Sequence, residues 1–256
     1  MASNHDAAQK PPRHETLFLT TRWSVVLAAR EVENDQALHA MEVLCRTYWQ
    51  PLYIYARRRG HTAQDAEDAT QGFFARLLEK GFLQSVQQER GRFRQFMLMA
   101  FQRHLANEWD RSRRLKRGGG QHAVPLDTVL GEKLYREETP PHASADDAYD
   151  RRWALTLLEQ TLGRLRAEYE RAGREQDFVV MKPQLVASRG EASYASLASQ
   201  LDCTEGAARV AVHRLRKRFR EIFREEIAQT VANEADLEDE IRHLIAVLAQ
   251  GTPSAS

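Results

Sequence analysis

Between Ser193 and Phe219 the chain reads SYASLASQLDCTEGAARVAVHRLRKRF. Tyr194, Leu197, Ala198 and Leu201 recur at spacings of three and four, which places them on one face of a short helix. Asp202-Cys203 makes a tight turn, and Thr204 supplies a side-chain oxygen where the next helix needs a cap. Val212, Leu215, Phe219 and Ile222 form the inner stripe of that second helix. Small Ala198 and Ala208 let the two helices cross closely. Elsewhere, alternating runs rich in Val, Ile and Thr are scarce and aromatics make up only 8%, so an all-β sandwich or barrel is not expected.

The same spacing recurs along the chain. From Asp35, the residues Leu38, Met41, Leu44, Cys45, Tyr48 and Leu52 share a helical face, with Pro51 expected to kink the helix or open a second one. Arg57-Arg58-Arg59-Gly60 stops it. Thr62 caps the next helix, with Asp65 at its third position and Ala66, Ala69, Phe73 and Leu77 inward. Arg92–Arg117 reads as one long helix, with Phe93, Phe96, Met97, Ala100, Leu105 and Trp109 inward and three glycines after it. Residues 118–149 show weak periodicity and read as a flexible linker. Trp153 to Leu165 is helical, and Asp177 to Leu185 is a short helix interrupted near Pro183. Glu234 to Ala249 is an amphipathic helix with Leu237, Ile241, Leu244, Ile245 and Leu248 on one side. The expected fold is all-α: two small helical domains, 35–117 and 150–232, joined by the linker, with extensions at 1–34 and 233–256.

Charge is balanced overall, 37 Lys and Arg against 36 Asp and Glu, but its distribution is not even. Glu89 to Arg117 carries nine bases and three acids, and Arg209 to Arg220 carries six bases and no acid. Asp127 to Asp150, between them, holds seven acids and two bases. Two basic islands separated by an acidic stretch suggest two surfaces for a polyanion. Cys45 and Cys203 lie far apart, as suits a reducing cytoplasm, and neither a signal peptide nor a membrane-spanning run is expected. Phosphate-loop, nucleophile-elbow and metal-ligand motifs are missing and the nine histidines are scattered, so no enzyme, cofactor or metal is expected.

Three groups of residues carry the chemistry. Arg209, Val210, His213, Arg214 and Lys217 face outward near the start of the helix after Thr204, where a recognition helix reaches into a major groove. A helical hairpin with a solvated basic face uses the same pattern, but turn, cap and charge together favour a helix-turn-helix. Arg94, Arg103, Asn107 and Arg111 put hydrogen-bonding heads on a helix interleaved with aromatics, a combination suited to single-stranded nucleic acid. Asp65, Asp68 and Gln71 fall on one exposed helix side with Phe74 beside them. Acids early in a helix also complement its dipole, so a docking face and an ordinary helix start are both open. The acids of the last helix are well placed for its dipole, or to cover a basic surface, while its apolar stripe is expected to complete the second domain's core.

The order of these parts resembles a bacterial RNA polymerase sigma factor of the extracytoplasmic-function type. LCRTYWQPLYIYARRRGHTAQDAEDATQGFFARLLEKG, residues 44–81, resembles region two, including its Asp-Ala-Glu-Asp-x-x-Gln-x-x-Phe pattern. FRQFMLMAFQRHLANEWDRSRR, residues 93–114, resembles the helix that opens and reads the minus-ten element, and residues 153–226 resemble region four. The chain departs from the family in having Arg103 where Asn is frequent, Asp202 where Gly is usual in the turn, and Val210 where a small polar residue is frequent.

The resemblance implies a non-enzymatic initiation factor. Asp65, Asp68, Gln71 and Phe74 would dock on the β′ clamp helices of core RNA polymerase, and region four on the β flap. Arg94, Arg103, Asn107 and Arg111 would capture the minus-ten strand of promoter DNA, and Arg209, Val210, His213, Arg214 and Lys217 would read the minus-thirty-five duplex. A cytoplasmic protein, monomeric when free, with a regulatory or anti-sigma partner and no membrane contact, is the expectation. The rival is a helix-turn-helix repressor acting without polymerase.

Overall fold

The computed structural model describes residues 35–78, 92–112, 126–138, 142–187, 193–231 and 234–249. The extension 1–34, the turn at Lys80-Gly81, the glycines 118–120 and the end of the basic island beyond Ser112 lie outside these residues. Among the described residues every regular element is helical. In chain order the helices are α1 (Asp35–Arg58), α2 (Ala63–Leu78), α3 (Phe93–Ser112), α4 (Thr128–Glu138), α5 (Ala145–Arg171), α6 (Glu175–Met181), α7 (Tyr194–Gln200), α8 (Glu205–Ala228) and α9 (Ala235–Ala249). A 3-10 turn, Lys182–Leu185, follows α6 because Pro183 cannot continue the α-helical ladder.

The ends of α1 and α2 follow from local chemistry. α1 runs through Pro51 without a break. It ends where Gly60 takes φ +92° and His61 N–H donates to the Ala56 carbonyl at 3.2 Å, a left-handed cap that satisfies the last carbonyls. α2 starts with the Asp65 amide donating to Thr62 Oγ1 at 3.1 Å, while that hydroxyl donates to the Asp65 carboxylate at 2.8 Å.

The segment expected to be a flexible linker is largely structured. Asp127 Oδ1 accepts the Leu130 amide at 2.9 Å and so opens α4. Leu126, Leu130 and Leu134 recur every fourth position and pack against the core, beside α1. A Cβ on Gly131 would sit 3.1 Å from two carbons of the Tyr53 ring and 3.3 Å from Trp49, so α4 approaches α1 as closely as only glycine allows. Glu132 accepts from Tyr53 Oη at 2.7 Å and from Arg57 Nε at 2.5 Å. α5 then begins at Ala145 with a reciprocal cap between Ser144 and Asp147, several residues before the expected domain start.

Two apolar clusters result. The first gathers Leu44, Tyr48, Phe73, Phe93, Phe101, Trp153 and Leu157 with Leu237 and Leu244 of α9. The second holds Leu165, Phe178, Met181, Leu197, Ala208, Val212, Leu215 and Ile222. α5 contributes its first half to one cluster and Leu165 to the other, while α8 contributes Val212 to the second and Ile227 to the first. Instead of completing the second cluster, the last helix closes the first. Its stripe has α5 and α8 as neighbours, and these lead back to α1 and α3.

Candidate nucleic-acid interface

α8 presents the clearest chemical face. Ser193 caps α7 by accepting the Ser196 amide, and Thr204 caps α8 by accepting the Ala207 amide at 3.2 Å. Between the two helices Asp202 takes φ 49°, a left-handed conformation that Asp tolerates, and Cys203 N–H donates to Ala198 O at 3.0 Å. Arg209 lies with its guanidinium 4.6 Å from the centre of the Tyr194 ring, which ties the long helix to the short one.

Arg209, Val210, His213, Arg214 and Lys217 are all exposed. At 3.6 residues per turn they cover about 140° of the helix circumference, opposite the stripe Ala208, Val212, Leu215 and Ile222. The structure thus brings these five together on one outward face. Two other bases of the island are committed to the fold. Arg216 donates to the Gln184 carbonyl at 2.8 and 2.6 Å and to Ala187 O at 2.9 Å. Arg218 donates to both carboxylate oxygens of Glu168. These hydrogen bonds raise the Arg218 pKa above its ordinary value and hold the Glu168 carboxyl below the usual range. Arg216 and Arg218 therefore fix α8 by its flanks and leave the face with Arg214 and Lys217 outward. Among the described residues Lys217 makes a loose contact, 3.9 Å, with exposed Glu221.

The second group does not share one face. Arg103 and Asn107 are exposed on α3, and Arg111 lies near its end with a side chain outside the described set. Arg94 is buried, only 3% exposed, which corrects the expectation that it faces outward. Nine positions separate it from Arg103, two and a half turns, so the two lie on opposite sides of α3. Arg94 Nε donates to Glu240 at 2.5 Å, and its guanidinium also pairs with Asp150 and lies 5.6 Å from the Trp153 ring. Burial works against its charge, but Asp150 and Glu240 outweigh burial and raise its pKa. Arg92, just before α3, is half-buried, and its Nε lies 2.8 Å from Glu240 Oε2, on the carboxylate that also holds Arg94. Sequence reasoning passed over Arg92 as a site residue because its partner, Glu240, comes from the other end of the sequence.

The third group is split in depth. Asp65 and Asp68 are exposed on α2, Gln71 is half-buried, and each is held by a neighbour within four residues. Phe74 is fully buried, which corrects its expected place beside the acids. Its ring meets Phe73 edge to face at 5.6 Å because α2 is covered by α1, α3 and α4 on that side.

Among the described residues, no group of three or more His, Cys, Asp and Glu is arranged to hold a metal ion, and no helix is long and apolar enough to cross a membrane. No protein-family model, curated protein or solved structure matches the chain.

Proposed function

We propose that the chain is a sigma factor that binds core RNA polymerase and directs promoter recognition, DNA melting and transcription initiation. The observation that carries this reading is the outward face of α8, where Arg209, Val210, His213, Arg214 and Lys217 stand opposite the apolar stripe of a capped helix. Arginine there reaches guanine with two hydrogen bonds, Val210 suits a thymine methyl, and Lys217 neutralises phosphate. This supports a helix-turn-helix that reads the minus-thirty-five duplex. The exposed heads of Arg103 and Asn107 support capture of the minus-ten strand, with Arg111 included on its sequence position. Asp65, Asp68 and Gln71 support docking on the β′ clamp helices. Phe74 and Arg94 are buried in the fold described, so neither supports these roles in that state. The test is run-off transcription with core polymerase on pooled duplex fragments. Transcripts with discrete starts that require the chain are expected, and their absence overturns the reading.

One observation favours the rival, a repressor that acts without polymerase. α5 and α8 each run through both apolar clusters, so the body that carries the α8 face is continuous. A repressor would form a stable dimer and bind duplex DNA without retaining core polymerase. Sedimentation and a polymerase pull-down separate the two.

A further inference from the structure

α9 buries a carboxylate in the middle of its apolar stripe. Glu240 is fully buried between Leu237 and Leu244, and its two oxygens meet Arg94 Nε at 2.5 Å and Arg92 Nε at 2.8 Å. The same cluster draws in α5. Asp150 pairs with Arg94, its other oxygen lies 2.9 Å from His243 Nε2, and the Tyr149 hydroxyl donates to Arg94 O at 2.8 Å. The turn before α9 also reaches this point, because Phe93 N–H donates to Thr230 O at 3.0 Å. Thus α9 and the turn before it sit on the start of α3.

A helix needed only to fill the core would do better with an apolar residue at position 240. Burying an ion pair brings little net stability relative to a hydrophobic residue of similar size, and it suits a contact whose partner can be exchanged. The geometry has a second meaning for nucleic acid. Glu240 Oε1 accepts from Arg94 Nε and Oε2 stands in an ion pair with Arg92, so one anionic group faces two guanidinium groups, as a strand phosphate would. Arg92 stands immediately before the helix that exposes Arg103 and Asn107, and Glu240 engages it there.

We propose that α9 is a releasable clasp in which Glu240 takes the place of a strand phosphate on Arg92 and Arg94, so that α9 and single-stranded nucleic acid compete for the start of α3. This rests on the reading of α3 as the strand-capturing helix. Release would free Arg92 at the start of the helix that carries Arg103 and Asn107, and leave Arg94 paired with Asp150 and over the Trp153 ring.

The test uses the full chain, a short fluorescein-labelled single-stranded DNA followed by anisotropy, and amide hydrogen exchange across 235–249. Glu240→Gln is expected to speed exchange in α9 and tighten strand binding several-fold, with a steeper salt dependence. Adding Arg92→Gln to that variant should return the affinity to the wild-type level. Faster exchange without tighter binding overturns the clasp. If Glu240→Gln leaves exchange unchanged, Glu240→Lys sets a like charge against both arginines, and unchanged exchange there overturns it as well. Core polymerase binding by the same proteins separates this from the functional reading. Gained strand binding with no polymerase binding sinks the sigma assignment alone, and polymerase binding with no gain sinks the clasp alone.

Discussion

Arg218 on α8 grips Glu168 on α5 with two parallel hydrogen bonds, Nε to Oε2 at 2.8 Å and Nη2 to Oε1 at 2.7 Å. Such a fork fixes rotation as well as distance, so it sets which side of α8 faces away from the body.

That pair gives the fold an acid-sensitive component. The hydrogen bonds from Arg218 hold the Glu168 carboxyl below its ordinary value. The unfolded chain then takes up a proton at higher pH than the folded one. The stabilisation is complete above the unfolded value of about 4.3 and is lost as pH falls through the folded one. Thermal melts from about pH 6 to pH 3 should show wild type losing more of its melting temperature than Glu168→Gln, which starts lower and falls less. Equal slopes would exclude the pair as a source of acid sensitivity.

Two glycines should respond in opposite ways to the same change. Gly131→Ala drives a methyl into the rings of Tyr53 and Trp49, and overpacking of this kind costs about 1–3 kcal/mol. Gly163 lies inside α5 with nothing within 4 Å of the added carbon, so Gly163→Ala should gain about 0.5–1 kcal/mol from helix propensity. Urea unfolding of the two variants beside wild type measures both signs.

On α8, Arg214→Ala should lose about 1–3 kcal/mol on a cognate duplex and little on a scrambled one. Lys217→Ala should weaken both duplexes alike and reduce the salt slope by about 0.9. Anisotropy titrations at several salt concentrations read out the two effects. A loss for Arg214→Ala that is the same on both duplexes would remove it from base reading.

On α2, Asp68 and Phe74 should part company. Asp68 is exposed and accepts from Gln64 Nε2 at 3.0 Å, so Asp68→Arg should change stability by less than about 0.5 kcal/mol while abolishing binding to core polymerase. Phe74→Ala should cost about 3–5 kcal/mol of stability as a cavity in the core. Wild-type retention of core polymerase by Asp68→Arg would refute the docking face.

Much of this architecture is legible from local pattern. Thr62 and Thr204 announce helix starts because a cap is a contact within three residues, and the α8 face emerges once Val212, Leu215 and Ile222 define the buried side. α4 hides for a compositional reason. Glu132, Glu137 and Glu138 give it the look of a solvated tether, although Asp127 and the leucines every fourth position mark a capped amphipathic helix. The separation of Arg94 from Arg103 is also present in the spacing, whereas the burial of Arg94 depends on Glu240, 146 positions away. Nor does local pattern say which core an apolar stripe joins, because Leu237 and Leu244 would satisfy either one.

The membership of Leu244 in the same cluster as Leu44 has a consequence during synthesis. The ribosome delivers residues at about 5–20 per second, so about 10–40 seconds pass between the emergence of one leucine and the other. Through that interval the nascent helices α1 to α3 carry an apolar surface that has not yet met its last cover. Chaperone occupancy on stalled chains should therefore persist until α9 has left the exit tunnel, and fall there in a single step.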